Sequence, residues 1–524
     1  MSALFWDVAI IVFYFITITS LGLYMGRREE SMEDFALGGR KIPWWAVLAS
    51  IIAAETSAAT FLGVPAEGYR QQSAIYVQLM LGTVVARVII AYLFIRPYYH
   101  YRVYTVYEFL EKRFGVRSRV AGSIIFLITR VLASGVRVYI AAVVLVIAWK
   151  FLTGASPTFE QYVLAIIVMT LITTLYTMLG GIKAVIWTDL IQAGIMFGGA
   201  LLSLYIIVAL TPGGWEGIKA GTDNFANFRI FDTGVHGATT LSQTVRNILS
   251  QEYTIWAAFT GYIFLVMATH GTDQDMVQRM LTATDYQRSR FSLILSGVAD
   301  IPIALAFVTI GIFLYAYFRL VPDPNLPAAH NEIFAYFIIN KMPPGLRGLI
   351  IAGVFATAMG SLSAALNALA TSFVKDFYAP YFRKNADDRH YVSAARLFTF
   401  IFALLMILVA GLAAYSVLHD PTLTIIPIAL GIIGYTYGSL LGVFLIGMLT
   451  RRRGNDRGNL LAMLCGFLTV FGLSGLANRV LGWLGLAPLP VPQIAFTWYI
   501  MFGSIVTFLV GLWFRTPPDK VTTP

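Results

Sequence analysis

Trp44-Trp45-Ala46-Val47-Leu48-Ala49-Ser50-Ile51-Ile52-Ala53-Ala54-Glu55-Thr56-Ser57-Ala58-Ala59-Thr60-Phe61-Leu62-Gly63-Val64-Pro65 is apolar enough to span a bilayer, yet it carries a carboxylate at its centre. Glu55 lies eleven residues from Trp44, roughly 16 Å along a helix and so near midplane. An ionisable group at that depth is costly unless it is paired, solvated or functional. Thr56, Ser57, Gly63 and Pro65 make the second half a poor continuous helix. An unwound stretch there frees the backbone carbonyls of Ala53 and Thr56 for a cation. Irregular backbone at membrane depth is tolerated only where it is buried or lines a cavity. The alternative is a mild kink, with the hydroxyls bonded back to their own helix.

The interruption recurs five helices later, at Thr269-His270-Gly271-Thr272-Asp273-Gln274. Paired interruptions in corresponding halves point to an inverted-repeat transporter with its substrate between the repeats. The expected organisation is one membrane domain over residues 1–524. A first repeat covers 44–210 and a second 252–449, with one helix before them and two after.

Composition sets the class. The chain is 58% hydrophobic and 12% charged. About thirteen apolar stretches are long enough to cross ~30 Å of hydrocarbon as helices. They fall near 4–26, 44–68, 74–97, 119–149, 160–179, 184–210, 252–272, 291–318, 346–374, 391–417, 422–449, 458–482 and 495–515. The first is followed, not preceded, by basic residues (Arg27, Arg28), which predicts a retained helix and not a cleaved signal. Net charge is +10. Its lysines and arginines crowd into alternate connections: Arg27, Arg28, Arg40 and Lys41; Arg96 to Arg119; Arg279, Arg288 and Arg290; Lys375 to Arg396; Arg451 to Arg457. That alternation is the positive-inside pattern. It predicts an outside N-terminus and a cytoplasmic C-terminus, and it removes the case for nucleic acid. The single Cys465 allows no internal disulfide, and the six histidines show no metal-ligand spacing. Nothing in the chain suggests an enzyme.

Further polar residues lie within the spans. Asp189 falls in Tyr176–Gln192, six residues beyond Lys183, or roughly 9 Å deeper if Lys183 marks the surface. The reading is an ion site; the alternative is a helix-end Asp bridged to Lys183 or capping its helix. Thr357, Gly360, Ser361, Ala364, Asn367, Ala368 and Thr371 recur at three and four residues and share one helix face. Small residues there let another helix approach closely, and packing alone also accounts for them. Ser361 beside an unwound Ala53–Thr56 makes an all-oxygen site suited to a hard monovalent cation. Arg87, Arg137 and Asp300 all fall near midplane, either as solute contacts or as a structural Arg–Asp pair.

These motifs resemble the sodium:solute symporter family. They run from Asp34-Phe-Ala-Leu-Gly38-Gly39-Arg40 and Tyr104-Thr105-Val106-Tyr107-Glu108 through Gly180 to Gln192. Gly271-Thr272-Asp273-Gln274 with Gln278-Arg279, Leu366-Asn367 and Gly434-Tyr-Thr-Tyr-Gly438 complete the set. The resemblance implies an all-α, LeuT-like fold of two inverted five-helix repeats, with Na⁺ as coupling ion. It places the main sodium site at Ala53, Thr56, Thr357, Gly360 and Ser361. Gly360 departs from the serine common in the family, so Gly360→Ser is expected to strengthen the site if packing allows. A second site in some members uses the position of Asp189 with serines; Ser363 remains here, but Gly360 and Ala364 replace two hydroxyls. The polar contacts of the galactose branch fall at Thr60, Leu79, Val266 and Asp300, and its gate tyrosine at Thr269, which argues against a galactose-type pocket. Leu62–Arg70 is more similar to the iodide, monocarboxylate and multivitamin branch.

The resulting expectation is a secondary active Na⁺-coupled symporter of the cell membrane, working by alternating access. Its solute site is placed at Thr60, Gln78, Arg137, Thr269 and Asp300. The expected solute is a small organic anion or acidic sugar, since a guanidinium grips a carboxylate through two hydrogen bonds. Its partners are the solute, Na⁺ and the lipid bilayer. Two alternatives stay open. One is a proton-coupled carrier in which Glu55 or Asp300 titrates. The other is a membrane solute sensor, against which the short stretch after Arg515 argues.

Overall fold

Apolar sequence with few charges leaves the backbone no partner but itself, and every regular element among the described residues is helical. The computed structural model describes residues 3–26, 31–153, 158–419 and 425–518. Arg27, Arg28 and the start of the 422–449 span lie outside the described residues. The main helices are α1 (Ala3–Met25), α2 (Trp44–Glu55), α3 (Ala58–Gln71), α4 (Gln78–Leu93), α5 (Val116–Thr153), α6 (Phe159–Leu210) and α7 (Gly261–Gly271). They continue with α8 (Gln274–Leu281), α9 (Tyr286–Leu320), α10 (Leu346–Phe373), α11 (Asp388–His419), α12 (Ile425–Leu449), α13 (Asp456–Leu473) and α14 (Tyr499–Gly511). Among the described residues, nine helices are long and apolar enough to cross a bilayer, or ten when the bent pair α2–α3 counts as one span.

The difference from the thirteen expected spans has identifiable causes. The stretches at 160–179 and 184–210 form one 52-residue run, α6, far longer than one crossing needs. It breaks at Gly181, whose φ of 52° and ψ of −152° suit only glycine. A Cβ there would lie 2.6 Å from the Phe35 carbonyl oxygen. The stretch at 252–272 is divided at Thr260, leaving α7 with only 11 residues.

The second span breaks where its hydroxyls cluster, between Glu55 and Ala58. Its halves diverge by 63°. Helix α3 runs on through Gly63 and Pro65, so those two residues do not end it. The other expected interruption lies at Thr272–Asp273, between α7 and α8. Helix α10 is the hub. It packs on α6, α5, α1 and α2, and its apolar window is 94% buried against 33% for α11. That contrast leaves α11 to face the lipid. The hydroxyl stripe of α10 is therefore interior.

Candidate cation and solute site

Breaking a helix removes hydrogen-bond donors from its last carbonyls. The final rung of α2 is the Thr56 N–H to the Ile52 carbonyl at 3.2 Å, and the first rung of α3 is Phe61 N–H to Ser57 at 2.9 Å. The carbonyls of Ala53 to Thr56 fall outside both ladders. Opposite them stands α10. Its Thr357 Oγ1 donates to Val354 (2.7 Å), Ser361 Oγ to Ala358 (3.1 Å) and Ser363 Oγ to Gly360 (3.1 Å). Each hydroxyl proton is thus directed to its own helix, which leaves oxygen lone pairs to accept.

Gly360 joins the two sides. A Cβ there would lie 2.9 Å from Gln192 Oε1, 3.3 Å from Asp189 Oδ1 and 3.6 Å from the Ala53 carbonyl oxygen. Three oxygens from α6 and α2 converge on the hollow left by the missing side chain. Asp189 Oδ1 and Gln192 Oε1 are buried and accept no hydrogen bond among the described residues. The donor set is all oxygen with one carboxylate, which fits a hard cation such as Na⁺. The packing condition attached to Gly360→Ser turns on Gln192, whose flexible amide end must move aside for a side chain at 360.

Asp189 is interior to α6 and fully buried, so it caps no helix end. Nor does it meet Lys183, whose ammonium bridges Asp34 Oδ1 at 2.8 Å. Its Oδ2 accepts from Ser50 Oγ at 2.5 Å and from Arg279 Nη2 at 3.3 Å. Arg279, counted above as a loop charge, is fully buried. It also donates to Asp275 Oδ1 (2.7 Å) and to Ser50 Oγ (2.9 Å). Arg130 on α5 pairs with Asp273 and, at 3.1 Å, with Asp275. The Tyr437 hydroxyl donates to Asp273 Oδ2 at 2.8 Å. A continuous chain of charge runs from α5 through the α7–α8 break to α6 and α2. Sequence reasoning missed Arg130, Asp273 and Asp275 as members. The signal was there in the helix interruption at Asp273 and in Arg130, seven residues before Arg137 and on the same face.

A second buried cluster lies at the α2 break. Arg87 on α4 is fully buried and pairs with Glu55 on α2 and, at 2.7 Å, with Asp300 on α9. It donates to Ser296 Oγ at 2.5 Å. His270 Nε2 lies 3.0 Å from Glu55 Oε1. The structural pair therefore joins Asp300 to Arg87, not to Arg137. Arg137 is half-buried on α5 and makes no side-chain hydrogen bond or ion pair with a described residue.

The remaining expected solute contacts divide. Gln78 is fully buried, and loop backbone takes both ends of its amide: Nε2 donates to Tyr253 (3.0 Å) and Oε1 accepts from Asp232 N (3.1 Å). This makes Gln78 a tether for the 211–254 connection and corrects its reading as a solute contact. Thr60 Oγ1 lies 3.5 Å from Ser57 Oγ. Thr269 Oγ1 donates to the Leu265 carbonyl at 3.0 Å and lies 2.9 Å from His270 Nδ1.

Comparison with known proteins gives one answer. Residues 35–466 match the family described as "SSF: Sodium:solute symporter family". The sodium/sialic acid symporter SiaT of Proteus mirabilis is 28% identical over 455 residues, covering 86% of this chain and 85% of its own. The sodium-coupled monocarboxylate transporter 1 of Homo sapiens is 29% identical, covering 88% of this chain and 72% of its own. A solved structure, described as the substrate-bound outward-open state of a Na⁺-coupled sialic acid symporter with a novel Na⁺ site, superposes with a TM-score of 0.80 at 25% identity. It covers 97% of both chains. Broken helices and many apolar helices are the physical content of that match. The chain belongs to the sodium:solute symporter family: it is a multi-pass membrane carrier that moves a small solute with Na⁺, and not an enzyme.

Proposed function

We propose that the solute is a carboxylate-bearing molecule, an acidic sugar ahead of a short monocarboxylate, and that Arg137 holds its carboxylate. One observation carries this reading. Arg87, Arg130 and Arg279 are all buried in ion pairs, whereas half-buried Arg137 has no acidic group at ion-pair distance among the described residues, and Asp275, whose charge reaches it, is already held by Arg130 and Arg279. An unpaired guanidinium within the membrane calls for an anion, and its fork matches a carboxylate in a way lysine does not. The names of the relatives, sialic acid and monocarboxylate carriers, support the same charge.

Sodium is assigned to the α2 break, with the Ala53 and Thr56 carbonyls facing Thr357, Gly360 and Ser361, and with Asp189 and Ser363 adjoining. Thr60, Thr269 and Asp300 flank the solute path. The two five-span repeats are 44–210 and 252–449. Each opens on a broken helix, and counting α6 as two crossings gives the first repeat its five. About thirteen crossings result, with the N-terminus outside and the C-terminus cytoplasmic in the cell membrane.

The test is thermal denaturation of purified protein with sialic acids, short monocarboxylates and their methyl esters, with and without Na⁺. A transported acid raises apparent stability, more so with sodium present. Arg137→Lys weakens that effect at unchanged basal stability. Equal stabilisation by acid and methyl ester overturns the carboxylate reading.

A further inference from the structure

Helices α4 and α9 pack closely and run antiparallel. A Cβ at Gly297 on α9 would lie 3.4 Å from the Val84 Cα on α4. Roughly two turns away, toward the end that the basic connections assign to the cytoplasm, Arg290 on α9 lies over Tyr92 on α4. Its guanidinium carbon is 4.2 Å from that ring centroid and 5.7 Å from the centroid of Tyr286. Aromatic rings engage the flat face of a guanidinium. They leave its N–H edge to find partners elsewhere. Arg290 finds none: it makes no side-chain hydrogen bond or ion pair with a described residue, and its buried Nε is unbonded.

A second arginine belongs to the same seam. The pairs Val84–Gly297 and Tyr92–Arg290 fix the antiparallel register. Carried one turn further, that register sets Arg96, in the short helix Ile95–His100 that continues α4, level with Tyr286. Arg96 is exposed and also lacks an acidic partner among the described residues. The nearby carboxylate, Asp285, is engaged at its own helix end. Its Oδ1 accepts from the Gln287 and Arg288 amides, and its Oδ2 lies 3.1 Å from Thr284 Oγ1 and 3.5 Å from Arg288 Nε. Two unneutralised guanidiniums therefore stand about one helical turn apart along one seam.

The seam faces outward. Tyr92 is 63% exposed, and the exposed Val85 and Val88 continue its face of α4; Phe291, Val298 and Leu305 are exposed along α9. Both helices belong to membrane spans, so acyl chains cover this apolar face, and cations at its end lie at headgroup depth. Topology alone calls for basic residues there. It does not call for an arginine fixed against two rings with its donors unfilled. We infer that the cytoplasmic end of the α4–α9 seam binds one anionic phospholipid. Its phosphodiester sits between Arg290 and Arg96, where guanidinium edges match phosphate oxygens through paired hydrogen bonds, and its chains follow the apolar face. The lipid would join α4 to α9 a few turns from the Arg87–Asp300 bridge that ties the same two helices within the membrane.

The experiment titrates the purified full chain, in detergent micelles, with phosphatidylglycerol, with phosphatidylcholine of the same chains, or with inorganic phosphate alone, and follows thermal denaturation. Phosphatidylglycerol is expected to raise apparent stability to a plateau, and the other two are not. Arg290→Gln and Arg96→Gln are each expected to raise the phosphatidylglycerol fraction giving half the effect about fivefold, the contribution of one basic residue near an anionic surface. Arg288→Gln, on an exposed arginine beside Asp285, is expected to leave it unchanged. Native mass spectrometry is expected to retain one phosphatidylglycerol on the wild type and to lose it in Arg290→Gln. Should Arg290→Gln fail to fold, Arg96→Gln against Arg288→Gln decides. Equal stabilisation by phosphatidylcholine overturns the charge recognition, and an equal effect of inorganic phosphate overturns the lipid. An equal shift in Arg288→Gln, or no shift in Arg96→Gln and Arg290→Gln, reduces the site to diffuse surface charge.

Discussion

Asp189 keeps one carboxylate oxygen engaged by Ser50 and Arg279 and turns the other toward Gly360. Asp189→Asn preserves shape and some of these bonds but removes the charge that attracts a cation. Initial Na⁺-driven uptake is expected to fall at least tenfold, while thermal denaturation shifts by only a few degrees. Wild-type uptake would leave Asp189 a purely structural partner of Arg279. Ser361→Ala removes a hydroxyl oxygen beside the α2 break. It is expected to raise the sodium concentration for half-maximal uptake roughly three- to tenfold, on the order of 1 kcal/mol, the scale of one neutral polar contact. Unchanged sodium dependence at normal abundance would move the site away from Ser361. Both residues were legible in the sequence because a polar group inside an apolar run stands out. Gln192 closes the recognised motif but was not marked as a candidate, because an amide carries no signal of its own until the space it fills is known.

At the scale of elements, the helix breaks were legible and their placement less so. Thr56–Ser57 and Thr272–Asp273 interrupt apolar runs with residues whose side chains compete for the backbone. Pro65 misled. It lies within α3, where its neighbours bury the turn it weakens. The break in α6 was written as two separate spans, since Gly180-Gly181 between apolar runs does not reveal that only Gly181 takes a positive φ and that helix resumes directly after it. The consequence is measurable. Gly181→Ala forces a Cβ toward the Phe35 carbonyl at 2.6 Å, and φ is already unfavourable for an L side chain. A loss of about 2 kcal/mol or more is expected, seen as a lower apparent Tm and reduced membrane abundance. A neutral outcome would mean that α6 straightens without harm.

At the scale of the whole molecule, charge pairing decides which helices are tied together, and pairing is a tertiary fact. Arg87 and Arg137 read as equals by depth. Only the fold shows that Arg87 takes Asp300 and Glu55 while Arg137 stands open. Arg87→Gln strands two buried carboxylates on α2 and α9, a change expected to cost on the order of 3–5 kcal/mol. Adding Asp300→Asn is expected to recover much of that loss, because the double variant no longer isolates both acids. Thermal denaturation of the four proteins of the cycle measures the coupling. Strict additivity would show the cluster to be hydrated and its members independent.

Gly360 and Gln192 also constrain the history open to this chain. The oxygen of Gln192 stands 2.9 Å from where a side chain at 360 would begin. A serine at 360 therefore fits only when the flexible end of Gln192 turns aside, so the new hydroxyl displaces the very oxygen it would have to work beside. Shortening 192 removes the need for that displacement, which couples the two positions. Relatives are accordingly expected to vary at these two positions together, and sodium preference inherited through one of them is not transferable to this chain without the other.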